Sequence, residues 1–376
     1  MPDKIYIFAG GGTGGHLYPA LAVAEELRRI QPAAMIVFAC SQRPIDRRIL
    51  DPLPYAVVAQ PVCPLPHRPR DVPAFLWSWW KSSLLARDMV ADLKPAAVLG
   101  LGGFAAGPVI CRAAGAGVAV GLLNPDAVPG KANRYLATRA DVIFTQFPAT
   151  IESFPRKLHS RIRCVGCPIR SSLAAADRLE AIGHFQLRGD RKTLMIFGGS
   201  LLAEAMSEAM ELLADDLSPL AETWQILHIT ASPSAARIEA ELARRGMTVR
   251  TQGYCDRMDL AYAAADLVLA RAGAVTVAEL AATGRPAVLM PYPHHADQHQ
   301  LLNAAALASA GAADVCPDVR NASGNAEALR EHLLPLMRDD TRLDAMRQAA
   351  TKAGKPAAAR DVAKWLADPG GRGGRD

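Results

Sequence analysis

Several features that would assign this chain to common protein classes are missing from its 376 residues. Seven cysteines are too few for the disulfide framework of a small secreted domain. No uncharged apolar run reaches the length of a membrane-spanning helix. The net charge of +5 is small and dispersed, which argues against a nucleic-acid partner but allows a local basic patch. The N-terminal residues lack a signal-peptide pattern, which predicts a cytosolic protein.

Short apolar runs alternate with helical or turn-rich segments along most of the chain. The first run, 4–8, leads into a glycine-rich loop and then a helical pattern over 19–30. The same order restarts at 193–197. This alternation is typical of parallel α/β sheets and predicts two doubly wound, Rossmann-like domains. We expect an N-terminal domain over 1–168, a second domain over 169–350, a C-terminal helix over 351–368 and a disordered tail over 369–376.

Glycine-rich loops follow three of the predicted strands, at residues 10–15, 100–108 and 198–200. Ligands bind at the carboxyl ends of strands in such sheets, so these loops are candidate phosphate contacts, and we expect them to face a cleft. The first loop matches the dinucleotide fingerprint, but the position of the expected acidic residue holds Cys40-Ser41-Gln42-Arg43. NAD is therefore disfavoured, NADP through Arg43 stays open, and no Walker lysine is present.

Three further places could carry chemistry. His16, directly after the first glycines, is either a base near neutral pKa or a residue that orients the loop. The loop before a predicted helix at 277–283 offers free amides to a diphosphate leaving group. Glu279 is either a ribose ligand or a carboxylate that is solvated or complements the helix dipole. The histidine-rich segment 293–300 fits no standard zinc signature, which favours sugar recognition by Asp297, His299 and Gln300 over a metal site.

Several of these blocks resemble the MurG family. They are Gly11-Gly12-Thr13-Gly14-Gly15-His16, Gly102-Gly103-Phe104, Ala127-Val128-Pro129-Gly130, Gly198-Gly199-Ser200 and, as the most specific, the segment from Arg271 to Ala304. These peripheral membrane enzymes of glycosyltransferase family 28 add N-acetylglucosamine (GlcNAc) to lipid I in peptidoglycan synthesis. The resemblance implies an α/β GT-B fold, a donor UDP-GlcNAc held mainly by the C-terminal domain, no cofactor and no metal ion.

The resemblance also implies roles for individual residues. His16 matches the histidine proposed as the acceptor-side base, and Asp126, which replaces a family amide, is an alternative base. The implied donor-binding residues are Thr13, Gly14, Gly15, Arg170, Ser200, Arg271, Gly273, Ala274, Thr276, Glu279, His299 and Gln300. The implied acceptor-binding residues are Gly102, Gly103, Phe104, Asp126 and Asn133.

Some family positions differ in this chain. Leu201 and Leu202 stand where the family has a glutamine and a glycine beside the donor pyrophosphate. The changes leave two alternatives open. One is a different UDP-sugar enzyme on the same fold, such as a glycolipid transferase or an epimerase. The other is a catalytically inactive nucleotide-sugar-binding scaffold.

An aromatic segment over 72–85 contains three of the five tryptophans and is flanked by basic residues. Aromatic and basic side chains together are typical of a membrane interface, although the tryptophans could instead pack a helix onto the sheet. The predicted membrane contacts are Phe75, Leu76, Trp77, Trp79, Trp80 and Lys81. We therefore expect a peripheral protein on the cytoplasmic face of the inner membrane, acting on a lipid-linked muramoyl-pentapeptide, with cell-wall synthesis proteins as candidate partners.

Overall fold

The computed structural model describes residues 4–66, 68–198, 204–293 and 297–370. The chain divides into two compact units. The first contains the residues up to Arg170 and those from Pro356 onward, and the second runs from Ser171 to Lys355. The boundary lies two residues beyond the predicted one. Residues 371–376 of the predicted tail lie outside the described part of the chain, and so does Ser200.

The first unit contains, among its described residues, a parallel sheet in the order β3-β2-β1-β4-β5-β6-β7. Its strands are β1 (Ile5–Gly10), β2 (Met35–Ser41), β3 (Ala56–Gln60), β4 (Ala97–Gly102), β5 (Ala119–Asn124), β6 (Val142–Thr145) and β7 (Ile162–Cys164). The helices are α1 (Gly14–Ile30), α2 (Pro44–Leu50), α3 (Val72–Leu93), α4 (Ala106–Gly115) and α5 (Lys131–Leu136). The strand order reverses between β1 and β4, so the loops after these two strands flank the crevice where such sheets bind ligands.

The strands of this unit are apolar on both faces because both faces are covered by helices. In β1, Tyr6 and Phe8 belong to the core on one side of the sheet. Ile7 and Ala9 belong to the core on the other side. The alternation of side chains along a strand thus explains why the sequence shows unbroken apolar runs rather than an apolar-polar pattern.

The second unit repeats the arrangement with the strand order β10-β9-β8-β11-β12-β13 among its described residues. The strands are β8 (Lys192–Phe197), β9 (Trp224–Ile229), β10 (Thr248–Gln252), β11 (Leu267–Ala270), β12 (Ala287–Leu289) and β13 (Ala313–Val315). The helices are α6 (Ser172–Ala175), α7 (Arg178–His184), α8 (Glu204–Leu212), α9 (Ala214–Leu217), α10 (Ala235–Arg244), α11 (Met258–Ala264), α12 (Ala274–Thr283), α13 (His299–Ser309), α14 (Ala322–His332), α15 (Leu334–Met337) and α16 (Asp340–Ala353). The order again reverses, here between β8 and β11.

The last helix, α17 (Ala358–Ala367), returns to the first unit and packs against α1. The ring of Trp365 meets the ring of Phe144 edge-on, with 5.8 Å between centroids. A Cβ at Gly121 would lie 2.8 Å from Trp365, so the strand carries a glycine where the indole packs. The predicted C-terminal helix is therefore present within 351–368, but this segment also includes the end of α16, which reaches Ala353.

A buried histidine on β9 gives the second unit a predicted pH dependence. His228 is 2% exposed, and its Nε2 lies 3.0 Å from Oγ of Ser207. Burial lowers the pKa of His228 to about 4 from 6.5. The unfolded chain therefore binds a proton that the native chain does not bind as the pH falls between these values. We expect the free energy of unfolding to decrease over this range by roughly 3 kcal/mol on account of this residue.

Urea denaturation of the wild type and of His228→Gln, each at about pH 7.5 and about pH 4.5, measures this contribution. Glutamine stays neutral at both pH values, so the variant should lose less stability on acidification than the wild type. Equal losses in the two proteins would contradict the assignment.

Candidate active site

His16 lies in the first turn of α1, and one of its ring nitrogens is engaged by the preceding loop. Its Nδ1 is 3.1 Å from the carbonyl oxygen of Gly11 and 3.0 Å from Oγ1 of Thr13. A carbonyl oxygen can only accept a hydrogen bond, so Nδ1 must carry the proton in this contact. The lone pair of the neutral ring is then on Nε2, as in a general base.

The surroundings of His16 favour its neutral form. Burial lowers the pKa of the ring, and it outweighs the opposing effects of Asp126, the Gly11 carbonyl and Asp46. The net pKa lies below the usual 6.5, so His16 is neutral at physiological pH. The two roles left open by the sequence are compatible in this geometry, because Nδ1 orients the loop while Nε2 can take a proton.

The second glycine-rich loop, after β4, packs directly against His16. Gly103 has a φ of +72°, and a Cβ there would lie 3.2 Å from Cε1 of His16 and 3.1 Å from the Gly11 oxygen. Only glycine combines this backbone conformation with so close an approach. The structure thus brings the predicted acceptor residues Gly102, Gly103 and Phe104 to the predicted base.

Asn133, a predicted acceptor contact, fixes the loop after β5. Its Nδ2 donates to the Leu123 carbonyl over 3.1 Å and to Oδ1 of Asn124 over 2.9 Å. Nδ2 of Asn124 in turn donates to the backbone oxygen of Asp126 over 2.8 Å. Oδ1 of Asn133 is buried, has no partner in the described part of the chain, and lies 3.1 Å from where a Gly102 Cβ would be. Asn133 therefore positions the Asp126 loop beside the second glycine loop.

Asp46, on α2, is a site residue that the sequence analysis missed. Its fully buried carboxylate accepts hydrogen bonds from the amide of Gly12 at 2.7 and 3.0 Å. It also accepts from the amide and the hydroxyl of Ser41, at 3.0 and 2.6 Å. A Cβ at Gly11 would lie 2.6 Å from Oδ2 of Asp46. These glycines make room for a carboxylate of the chain itself, which occupies the amide that a dinucleotide pyrophosphate would approach.

Arg43, the residue that left NADP open, is also engaged within the loops. Its Nη1 donates to the Gly12 carbonyl over 3.1 Å, and its guanidinium lies 5.1 Å from the centroid of Phe104. The side chain thus joins the first glycine loop to the second. In this chain, the loop that matches the dinucleotide fingerprint is held in place by Asp46 and Arg43 beside His16.

The predicted donor contacts of the first unit lie along the start of α1. Thr13 is the N-cap residue, and the helix begins at Gly14, five residues before the predicted start. The amides of Gly14 and Gly15 are in the first turn, where a helix has donors without intrahelical acceptors. Arg170 lies over the ring of Tyr18 on the same helix, with its guanidinium carbon 5.0 Å from the centroid. Thr13, Gly14 and Gly15 thus form the N-terminal end of α1, and Arg170, which follows β7, packs beside the same helix.

In the second unit, α12 begins directly after the loop that follows β11. Gly273 is its N-cap, and Ala274 and Thr276 are in its first turn, whereas the pattern predicted a start at 277. The N-terminus of this helix lies at the carboxyl end of β11, beside the reversal of strand order. Its amides and the positive end of its dipole suit an anionic phosphate.

Glu279, in the second turn of α12, is held by a buried tyrosine. Its Oε2 accepts from the hydroxyl of Tyr262 over 2.9 Å, and the residue is only 9% exposed. Burial, and then the charge of Glu279, raise the pKa of Tyr262 well above 10, so the phenol stays a donor. Burial rules out a solvated carboxylate but leaves a carboxylate that complements the helix dipole open, and the tyrosine fixes the orientation of the group.

Arg271 connects the ends of three strands through a buried ion pair. Its Nη1 is 2.7 Å from Oδ2 of Asp318, beyond β13, and 3.0 Å from the carbonyl of Met290, beyond β12. Burial raises the pKa of Asp318, but hydrogen bonds from the Arg320 amide, Arg271 and Asn325 outweigh it and leave the pKa below its usual value. The pair holds the loop that leads into α12.

The start of α13 supplies the remaining predicted donor residues. Oε1 of Gln300 accepts from the amide of Tyr292 over 2.9 Å, which leaves its NH2 as the donor end. Nδ1 of His299 lies 2.7 Å from Oδ1 of Asp297. Asn303 donates to the Ala272 carbonyl over 3.1 Å and ties α13 to the loop before α12. Among the described residues, no group of three potential metal ligands occurs.

The aromatic segment forms α3, and its predicted membrane contacts point in two directions. Leu76, Trp77 and Trp80 are each more than half exposed, and Nζ of Lys81 lies 3.8 Å from the Trp77 ring centroid. Trp79 turns inward, next to Phe75 and against Gly107 of α4. The packing interpretation therefore applies to Trp79, and membrane contact by Leu76, Trp77, Trp80 and Lys81 stays a prediction. In the described part of the chain, no helix has the length and apolar character to cross a bilayer.

Two doubly wound parallel α/β units, with a fixed histidine at one switch point and a helix N-terminus at the other, are the two halves of the GT-B fold of glycosyltransferases. The chain belongs to glycosyltransferase family 28. The family's N-terminal domain matches residues 6–145, and its C-terminal domain matches residues 193–362.

The relatives of this chain include enzymes named UDP-N-acetylglucosamine--N-acetylmuramyl-(pentapeptide) pyrophosphoryl-undecaprenol N-acetylglucosamine transferase. The one from Halothermothrix orenii is 34% identical over 96% of this chain and 98% of its own length. The one from Chlorobaculum parvum is 36% identical over 95% and 97%. The crystal structure of Acinetobacter baumannii MurG has a TM-score of 0.74 and 27% identity over 97% of this chain and 99% of that chain.

A UDP-GlcNAc 2-epimerase from Neisseria meningitidis also has a similar structure, with a TM-score of 0.63 over 96% of this chain and 99% of that chain. Its sequence identity is only 13%, so the similarity shows the shared fold alone.

Proposed function

We propose that this chain transfers GlcNAc from UDP-GlcNAc, with inversion, to the C4 hydroxyl of the muramoyl sugar of lipid I, which forms lipid II. The observation that carries the proposal is the fixed tautomer of His16. Its Nδ1 is tied to Gly11, and its Nε2 carries the lone pair beside the second glycine loop. The named activity of relatives that match nearly the whole chain supplies the substrates.

In this reaction Nε2 of His16 takes the proton of the acceptor hydroxyl. The hydroxyl oxygen attacks C1 of GlcNAc while the bond from C1 to the UDP oxygen breaks, and the proton on His16 later passes to solvent. The first-turn amides and dipole of α12 would stabilise the negative charge of the departing UDP, so the proposed mechanism does not require a metal ion. Asp126 lies close enough to raise the pKa of His16 and would assist as a neighbouring charge.

The donor would be held by the edge of the second sheet. Glu279, oriented by Tyr262, would accept hydrogen bonds from the ribose hydroxyls. The NH2 group of Gln300, oriented through the Tyr292 amide, would donate to sugar hydroxyls. Ser200, outside the described residues, is proposed as a phosphate contact.

The acceptor is lipid-linked, so the enzyme must reach a membrane surface without spanning the membrane. The exposed Leu76, Trp77 and Trp80 with Lys81 give α3 an aromatic, basic face suited to anionic headgroups. We therefore propose a peripheral location on the cytoplasmic face of the inner membrane.

UDP release from UDP-GlcNAc by the purified protein, with and without a soluble lipid I analogue, tests the proposal. We expect release that depends on the acceptor, together with UDP-GlcNAc binding in calorimetry. Binding without release would indicate a different acceptor. Absence of binding would contradict the transferase and support a scaffold without activity.

A further inference from the structure

The first unit contains an apolar cavity of about 520 Å³ beside the second glycine loop. We propose that this cavity binds the first isoprene units of the acceptor's polyprenyl chain and so makes the chain part of what the enzyme recognises in solution. The inference rests on the proposed function, because it assigns a further part of the same acceptor. The side chains that form the walls are Leu65, Phe75, Trp79, Phe104, Tyr135 and Leu136.

The cavity begins where the proposed acceptor site ends. Gly103 lines it, and a Cβ on this residue would lie 3.2 Å from Cε1 of His16. Phe104 also lines it and stacks on Arg43 of the first loop. When the acceptor hydroxyl lies at His16, the apolar cavity is therefore next to the loop that would hold the acceptor sugar.

The charge around the cavity suits an amphiphile with an anionic group next to an apolar chain. Lys131, at the start of α5, is the charged residue among the lining residues described, and the lining includes no carboxylate. The relatives act on a pyrophosphoryl-undecaprenol substrate, in which the diphosphate joins the sugar to the polyprenyl chain. In this position Lys131 would complement the diphosphate while the aromatic walls contact the isoprene units.

The wall against α4 depends on a glycine in the first turn of that helix. A Cβ at Gly107 would lie 2.4 Å from the ring of Trp79, so the ring can occupy its position only because residue 107 has no side chain. Trp79 and Phe75 thus face the cavity, while Trp77 and Trp80 of the same helix are exposed toward solvent. Polyprenyl binding is therefore assigned to Trp79 and Phe75, and membrane contact to the exposed Trp77 and Trp80.

Two soluble acceptors, identical except for a farnesyl chain or a methyl group on the diphosphate, test the proposal in buffer without vesicles or detergent. Wild-type KM should be about tenfold lower for the farnesyl acceptor, because the cavity removes apolar surface from water. Ala132→Phe fills the cavity from a half-buried position on α5. This variant should raise KM for the farnesyl acceptor about tenfold and leave KM for the methyl acceptor and both kcat values unchanged. Trp79→Leu, which removes part of the wall, should act in the same direction.

The matched control is Ala91→Phe on α3. Ala91 lines a different cavity of about 520 Å³, which is surrounded by Arg87, Lys94 and Arg112. The same substitution there should change neither KM. Equal wild-type KM values for the two acceptors would overturn the proposal, and so would an Ala132→Phe variant that raises both KM values equally.

Calorimetric binding of the farnesyl acceptor separates this inference from the proposed function. Ala132→Phe should weaken that binding about tenfold, whether or not UDP is released. Weakened binding in a protein that transfers no sugar would support the cavity and contradict the transferase. Turnover with unchanged binding would support the transferase and contradict the cavity.

Discussion

Replacement of His16 by alanine is expected to lower kcat roughly 10²–10⁴-fold. The variant loses the imidazole that takes the acceptor proton, which the Gly11 carbonyl holds in a fixed tautomer. The affinity for UDP-GlcNAc should change little, because the donor residues assigned to the second unit stay intact. Acceptor-dependent UDP release measures kcat, and calorimetry measures donor affinity. Unchanged turnover would show that His16 is not the base.

Asp126→Asn distinguishes the two candidate bases. The charge of Asp126 raises the pKa of His16, although burial keeps the net value below 6.5. If His16 is the base, kcat/KM of the wild type should fall on the acid side with an apparent pKa below 6.5. Removal of the Asp126 charge should then move this limb to still lower pH with most of the activity retained. Loss of turnover in Asp126→Asn would instead assign the base to Asp126.

Most strands of both sheets could be located from the sequence because parallel strands covered on both faces leave unbroken apolar runs. The strand β13 (Ala313–Val315) was missed because it is short and none of its residues is fully buried. The predicted start of α1 was too late because of its glycines. The sequence predicted Gly14 and Gly15 as loop residues, because glycine is unfavourable in a helix interior. In the first turn of a helix, glycine costs little stability, and the amides there have no intrahelical acceptors. The start of α12 was also predicted three residues too late, but residues 274–276 contain no glycine, so this reason does not apply there.

The residues that fix the site could not be found from local patterns, because their partners are distant in sequence. Asp46 bonds to Gly12 across 34 positions, and Tyr262 bonds to Glu279 across 17. One signal was present for Asp46. It shares a helix face with Ile49 and Leu50, three and four residues on, which are buried, and a carboxylate on such a face requires a partner. The docking of α17 on the first unit had no comparable signal.

Arg271→Met should lower the free energy of unfolding by about 3–5 kcal/mol. The variant leaves the carboxylate of Asp318 buried, with the Arg320 amide and Asn325 as its remaining donors and no opposite charge. It also removes the contact with the Met290 carbonyl, so the loop before α12 loses its attachment to β12 and β13. Donor KM should therefore rise together with the loss of stability. Urea denaturation and UDP release measure the two effects.

The control is Arg237→Met, which removes the arginine of an ion pair with Glu211 in the same unit. Arg237 is 57% exposed, so its pair is screened by water and its loss should cost less than about 1 kcal/mol. The double variant Arg271→Met with Asp318→Asn removes both charges, and it should be more stable than Arg271→Met alone because no uncompensated carboxylate stays buried. If the double variant is instead less stable than the single variant, the cost in Arg271→Met comes from the lost Met290 contact rather than from the unpaired charge.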